Sequence, residues 1–231
     1  MLNAEIGVGC GGSADGCGGS GGCSETPDFC IKRHDTRPAF RVSVSDCSGV
    51  LDLTDENLAL EASMWFETKI KSAINQSATV ISFADNIGFD QVLVGDLIVT
   101  DKVRNPENMV VSSIDELAKT VTVQRGQNGS AAQPMARGAS INIFRFTDSP
   151  AEIESVFGDI TNVDGNVTNE LLDTFLVFNW EGNQTSLPGC YRMEFKLLRI
   201  SPGTADVDWT KRFPLGSSGF VINVVDSATS N

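Results

Sequence analysis

Apolar and polar residues alternate with a period of two along the stretch Cys190 to Ile200. Tyr191, Met193, Phe195 and Leu197 occupy one set of positions, and the other set includes the charged residues Arg192, Glu194 and Lys196. A period of two places the two sets on opposite faces of a β-strand. The pattern therefore predicts a strand with one face in the core of a layered β structure.

Similar patterns occur far away in the chain. Phe40 to Ser45 alternates in the same way, and Leu58 to Phe66 places Leu60, Ala62, Met64 and Phe66 on one face of a strand. Two later stretches, 174–180 and 209–226, supply further strands. We predict a discontinuous β-sandwich formed by residues 30–77 and 148–231. If this is right, Phe40 to Val44 must share a core with Tyr191 to Leu197.

The segment between these two parts, residues 78–147, has short β-prone runs separated by turns. Such spacing is typical of a small closed sheet, and we interpret the segment as an inserted small β-barrel. Within it, the stretch Arg125 to Ser130 is glycine-rich but lacks the Gly-Lys-Ser/Thr of a phosphate loop, so we expect a hairpin turn. The predicted fold class is all-β, a β-sandwich interrupted by a small inserted β-barrel.

One helix is expected, from Asp148 to Phe157. A serine followed by Pro150 and then two acids is a common start of a helix. We expect this helix to end near Gly158.

Residues 1–29 form a Gly/Cys-rich N-terminal arm, which we expect to be flexible because glycine has many unfolded conformations. Its cysteines, with the residue that follows the arm, are regularly spaced: Cys10, Cys17, Cys23 and Cys30. Three alternatives stay open: disulfides, a four-cysteine metal site, or a ligand-free tail that orders against a partner. Cys47 and Cys190 could form a bond, although two thiols are favoured.

The net charge of −13 argues against a nucleic-acid binder or an anionic-membrane binder, because both need clustered Lys and Arg. No apolar run approaches the about 20 residues of a membrane span. The single histidine, His34, has charged neighbours in a turn and is interpreted as a surface residue. No catalytic residue and no cofactor are predicted, so we do not expect an enzyme.

The order of several motifs resembles a known family. Residues 31–38 read IKRHDTRP, Leu51 to Thr54 reads LDLT, and residues 188–195 read PGCYRMEF. This order is similar to the N-terminal β-sandwich of upper baseplate proteins of tailed phages, whose strands follow K-x-G-D-T-x-P-P and G-x-P-V-D-L-T-G. The chain departs from that pattern at His34, where glycine is usual, and at Ala39, where a second proline is common.

The resemblance implies a structural virion protein of a tailed bacteriophage, assembled in the host cytoplasm. Its expected place is the tail, baseplate or neck, where it would connect or anchor receptor-binding fibres. The expected partners are other tail, baseplate or fibre proteins and further copies of itself, as a trimer or higher ring. Two alternatives remain: a carbohydrate-binding or tail-spike-type module, and a tail-tip protein with a metal bound to Cys10, Cys17, Cys23 and Cys30.

Overall fold

The computed structural model describes residues 5–8, 27–46, 49–100, 105–204, 206–214 and 219–226. The predictions for Cys10, Cys17, Cys23 and Cys47 lie outside these residues. The all-β class is confirmed, with one short helix in the described part of the chain. In chain order the elements are β1 (Glu5–Val8), β2 (Phe29–Lys32), β3 (Phe40–Asp46), β4 (Gly49–Val50), β5 (Leu58–Lys69), β6 (Val80–Ser82), α1 (Asn86–Asp90), β7 (Leu97–Thr100), β8 (Asn108–Asp115), β9 (Thr120–Gln127), β10 (Ser140–Thr161), β11 (Val167–Phe178), β12 (Gly189–Ile200), β13 (Val207–Phe213) and β14 (Phe220–Val225).

Two layers of strands enclose the main core. One layer follows the order β2-β14-β12-β5, and the other contains β3 paired with β11. Phe40 of β3 stacks on Phe195 of β12, with ring centroids 5.7 Å apart, and meets Phe220 edge-on at 5.4 Å. Phe40 to Val44 and Tyr191 to Leu197 thus share one buried cluster, and the predicted common core is confirmed.

Strand β10 connects the layers. Residues 141–144 pair with β7 on one side while β5 lies on the other, and from Glu152 onward the partner is β11. The register with β5 shifts twice, between Phe144 and Phe146 and between Phe146 and Ser149. Irregularities of this kind bend a strand and allow it to leave one layer for the other.

The helix predicted for residues 148–157 is wrong, because these residues lie inside β10. Pro150 faces Glu61 of β5 next to a register shift, a position where the missing N–H of proline is tolerated. Ala151 and Ile153 pack against the core. Pairing with β5 and β11 therefore overrides the local start signal for a helix.

Strands β7, β8, β9 and β6 follow β10 in the same hydrogen-bonded network. The backbone of β6 then returns to the end of β5, since the Lys71 amide donates to the Ser82 carbonyl and the Ala84 amide to the Lys69 carbonyl, both at 2.7 Å. Strands β5 and β10 are thus hydrogen-bonded to residues inside the segment 78–147 and also to residues outside it. The inserted barrel is not confirmed and stays a prediction.

The helix α1 begins after Asp85, whose carboxylate accepts a hydrogen bond from the Gly88 amide at 2.6 Å. It has five residues. No helix in the described ranges has the length and apolar character needed to cross a membrane.

Candidate functional site

The distal part of β10 and the first part of β11 form a two-stranded hairpin. The pairing runs from Val156 opposite Asp173 to Thr161 opposite Val167. Strand β3 pairs with β11 only from Phe175 onward, so residues 156–172 pair only with each other in the described part of the chain. We call residues 156–172 the distal hairpin.

The distal hairpin carries an unusual share of exposed apolar side chains. Of the eleven large hydrophobic residues that are exposed among those described, five lie within it: Phe157, Ile160, Val163, Val167 and Leu172. Phe157 is 53% exposed and Val163 is fully exposed. An isolated two-stranded hairpin is only marginally stable in water, and clustered exposed apolar groups are typical of interaction sites. The distal hairpin is therefore a candidate interaction site.

Both faces of the hairpin contribute to this surface. Phe157 lies opposite Leu171 on one face, and Ile160 lies opposite Thr168 on the other. Leu172 is the extra residue of a β-bulge at the register shift between Val156 and Phe157. It covers Gly158 so closely that a Cβ atom at Gly158 would collide with the Leu172 side chain. A larger residue at Gly158 would therefore displace the Leu172 side chain, which is 46% exposed, from its position over the bulge.

The tip of the hairpin is a defined turn. The Asn162 side-chain oxygen accepts hydrogen bonds from the amides of Asp164 and Asn166, at 3.1 and 3.0 Å. Gly165 has a φ of 79°, a left-handed conformation that glycine adopts without strain. Val163 is held on this turn with its side chain in solvent.

The hairpin is also acidic. It contains Asp159, Asp164 and Glu170, and no Lys or Arg occurs between Arg145 and Arg192. At the base, the Ser43 hydroxyl donates to the Asp173 carboxylate at 2.7 Å, which ties the hairpin to β3. A partner should therefore combine apolar groups with neutral or basic ones, since like charges across an interface are unfavourable.

Two buried ion pairs that sequence reasoning missed lie outside the distal hairpin. In the first, Arg125 binds both carboxylate oxygens of Glu107 at 2.6 Å and donates to the carbonyls of Asn75, Ala78 and Gln133. Burial would raise the pKa of Glu107. The hydrogen bonds from Arg125 and from the Gln133 amide, with the charge of Arg125 and the Gly126 amide, outweigh burial and hold the pKa below its ordinary value.

The second pair joins Arg145 to Asp96 at 3.3 Å, and both side chains are buried. Burial raises the pKa of Asp96 to about 6, against the opposing effects of the Arg145 charge and the Leu93 amide. Arg145 also donates to the Gln91 carbonyl at 2.5 Å and reaches the Tyr191 hydroxyl at 3.5 Å. Burial raises the pKa of Tyr191 as well, although the charge and hydrogen bond of Arg145 act in the opposite direction.

These two clusters are structural. The Arg125 group links the loop of Asn75 and Ala78 to the loop of Gln133 through backbone carbonyls, and the Arg145 group joins the β7 region to β12. No sequence pattern indicates these two ion pairs, because most of the hydrogen-bond acceptors around the arginines are backbone carbonyls.

His34 lies on the surface, as predicted. Its φ is 60°, and its amide donates to the Thr185 carbonyl at 3.0 Å. A left-handed φ is where glycine is favoured, so His34 adopts a backbone conformation that is uncommon for a residue with a side chain.

The cysteine predictions have a mixed outcome. Cys30 and Cys190 are both disulfide-bonded, so the expectation of a thiol at Cys190 is wrong. In this oxidised form Cys30 presents no thiolate to a metal. The four-cysteine metal site nevertheless stays a prediction, because Cys10, Cys17 and Cys23 lie outside the described residues. Among the residues that are described, no group of three or more His, Cys, Asp or Glu side chains could hold a metal ion.

The features proposed for a carbohydrate module do not come together. Trp65 and Trp180 are buried, whereas Trp209 lies partly exposed on β13, so the three rings do not line one groove. Glu194 contacts Arg212, and burial raises its pKa, although the charges of Arg212 and Lys196 oppose this. Asp208 lies near the pair Arg199–Trp209, roughly 17 Å along the strand from Glu194. Glycosidase carboxylates lie within about 10 Å of each other.

Comparison with known proteins finds no family model and no curated protein that matches this chain.

Proposed function

We propose that this chain is a non-enzymatic structural component of a tailed-phage virion that acts through protein–protein assembly. In this proposal it lies in the tail, baseplate or neck, where it connects or anchors receptor-binding fibres, and it forms a trimer or a higher ring. The observation that carries the assembly part is the distal hairpin, which combines exposed apolar side chains with a defined tip.

The phage part of the proposal rests on the order of the motifs. Support comes from two features of the structure. The first and last blocks of the resemblance share one core around Phe40 and Phe195. In addition, His34 has a left-handed backbone where the family pattern has glycine.

The mechanism of assembly follows from hairpin chemistry. Exposed apolar side chains gain about 25 cal/mol for each Å² that a partner covers. The unpaired outer edges of the hairpin strands offer backbone N–H and C=O groups for pairing with another strand. The acidic residues favour partners with basic rims and increase the association rate with them.

The first test measures the molar mass of the purified chain by light scattering over a range of concentrations. We expect a trimer or larger, well above the 24.7 kDa of one chain. The double variant Phe157→Ala/Ile160→Ala removes two apolar side chains of the hairpin and should lower the molar mass at equal concentration. The matched control is Val94→Ala/Leu117→Ala, which removes two exposed apolar side chains outside the hairpin and should leave the molar mass unchanged.

A wild-type chain that stays monomeric at every concentration would contradict the homo-oligomer, and equal dissociation of both double variants would contradict the role of the hairpin. The virion assignment needs a separate test, immunogold labelling of intact particles with an antibody against this chain. Labelling at the tail is expected, and particles that lack the chain would overturn the assignment.

A further inference from the structure

Two disulfide-bonded cysteines flank the same residue of β14. Asn223 pairs with Cys190 of β12 on one side and with Cys30 of β2 on the other. Both cysteines are disulfide-bonded. The three residues thus form one row across neighbouring strands, and because residues in register point to the same side of a sheet, the two cysteines share a face with Asn223.

The two cysteines are too far apart to be bonded to each other. Neighbouring strands lie about 4.8 Å apart, so two strands separated by a third lie about 10 Å apart. A disulfide joins residues whose Cα atoms are at most about 7 Å apart. Cys30 and Cys190 must therefore have two different sulfur partners.

Counting the cysteines narrows the choice of partners. The chain has six cysteines, and the remaining four are Cys10, Cys17, Cys23 and Cys47. Only Cys47 lies outside the Gly/Cys-rich arm. Two different partners cannot both be Cys47, so within one chain at least one of them belongs to the arm.

We propose that Cys30 and Cys190 belong to two separate intrachain disulfides, at least one of which ties the N-terminal arm covalently to the sheet. Each bond forms when two thiols lose two protons and two electrons to an external disulfide oxidant through thiol–disulfide exchange. The proposal is independent of the virion assignment, because it rests on strand register and on the number of cysteines.

The physical consequence is a smaller unfolded ensemble for the arm. Nine of the 22 glycines lie between residues 7 and 22, and glycine loses more conformational entropy on ordering than any other residue. A covalent tie removes part of this entropy from the unfolded chain. Reduction should therefore increase proteolysis of the arm more than proteolysis of β12.

The test is a peptide map of the full, unreduced chain after its free thiols have been alkylated. Trypsin combined with a glutamyl endopeptidase separates the cysteines into four peptides. Cys30 falls in residues 26–32, Cys190 in 182–192, Cys47 in 42–56, and the three arm cysteines in 6–25. Mass spectrometry then identifies which peptides are linked.

The expected result is that peptides 26–32 and 182–192 are never linked directly to each other and that at least one is linked to 6–25. A direct link between 26–32 and 182–192 would overturn the proposal, as would recovery of either peptide in alkylated form. A disulfide-linked dimer on a non-reducing gel would overturn the intrachain assignment.

A variant gives an independent check. Cys30→Ser should leave Cys190 disulfide-bonded, so that peptide 182–192 still carries a partner and resists alkylation. If Cys30 and Cys190 formed one bond, the variant would release Cys190, and its peptide would be alkylated. The reciprocal variant Cys190→Ser should likewise leave Cys30 protected.

Discussion

The two buried arginine–carboxylate pairs use the same chemical groups and differ in how completely they are satisfied. Arg125 makes a bidentate contact with Glu107 and three further hydrogen bonds to carbonyls. Arg145 meets Asp96 through a single contact of its Nη1 atom at 3.3 Å, and its buried Nε atom has no hydrogen-bond partner among the residues that the structure describes. The pKa of Glu107 is lowered whereas that of Asp96 is raised to about 6.

This difference shows that burial alone does not set the protonation of a carboxylate. Glu107 is fully buried, but its oxygens receive enough charged and backbone donors to offset desolvation. Asp96 also has almost no exposed surface, but it lies deeper in the protein and receives fewer donors, so desolvation is the dominant effect there. The first pair should therefore stay ionised through the physiological range, while the second can lose its charge by binding a proton.

The largest expected effect separates the two arginines. Arg125→Met leaves Glu107 buried without its partner and should lower the free energy of unfolding by about 3–5 kcal/mol. Arg145→Met should cost less, because Asp96 can become neutral at little expense. Urea unfolding of both variants at neutral pH measures the difference. Equal losses in the free energy of unfolding would contradict the proposed difference between the two ion pairs.

The next effect is a pH dependence of opposite sign at the two sites. The folded pKa of Asp96, about 6, lies above its ordinary value of 3.8, so the folded state binds more protons between these values. Its contribution to stability is present below pH 4 and is lost as the pH rises through 6. At about 1.36 kcal/mol per pKa unit, the loss approaches about 3 kcal/mol by pH 7.

Asp96→Asn mimics the protonated carboxyl group, so its stability relative to the wild type should increase from pH 4 to pH 7.

For Glu107, the lowered pKa gives a contribution to stability that is present above the ordinary pKa and is lost as the pH falls through the folded pKa. The free energy of unfolding of Glu107→Gln should therefore be lower than that of the wild type at neutral pH, and this difference should decrease as the pH falls. Urea midpoints across this range test both signs, and parallel pH profiles would contradict the assignment.

A smaller effect concerns the hydroxyl next to Arg145. The Tyr191 hydroxyl donates to the Leu187 carbonyl at 3.0 Å and has only a 3.5 Å contact with Arg145. Tyr191→Phe should cost about 1 kcal/mol, the usual value of one hydrogen bond. A cost as large as that of Arg125→Met in thermal unfolding would mean that the Arg145 cluster is more cooperative than its geometry indicates.

The smallest effect is expected at the surface. Lys119 lies 3.4 Å from Asp90 and 4.6 Å from the centre of the Phe89 ring, and both charged side chains are about half exposed. Lys119→Ala should change the free energy of unfolding by less than about 1 kcal/mol, because exposed pairs are screened by water and salt. It serves as the reference against which the cost of breaking a buried pair is measured in the same urea assay.

The strands that alternate strongly were predictable from sequence. The buried positions Tyr191, Met193, Phe195 and Leu197 of β12 follow directly from the period-two pattern, because a sheet with one face in a core must place every second residue there. In β5 the pattern indicates Leu60, Ala62, Met64 and Phe66, but Ser63 and Trp65 on the other face are buried as well. The helix predicted from Asp148 to Phe157 failed for the opposite reason. Its signal was local, whereas the pairing of β10 with β5 and β11 depends on residues far away in the chain.

The ion pairs could not be predicted. Arg125 lies 18 residues from Glu107, and Arg145 lies 49 residues from Asp96. No spacing rule connects such positions, and the carbonyl groups that complete the Arg125 site leave no trace in residue identity. The distal hairpin was missed as well, since residues 166–173 gave no clear pattern and the surface becomes evident only once β10 and β11 are seen to pair.

The length of β10 has a mechanical consequence. Its 22 residues form one covalent strand with a contour length of roughly 70 Å, running from β7 to the tip of the distal hairpin. A pull on that tip acts along the ladder that joins β10 to β5, so the load falls on many hydrogen bonds at once in shear instead of opening them one at a time. If a partner binds at the tip, as proposed above, this strand would carry tension from the partner into the body of the protein without passing through a loop.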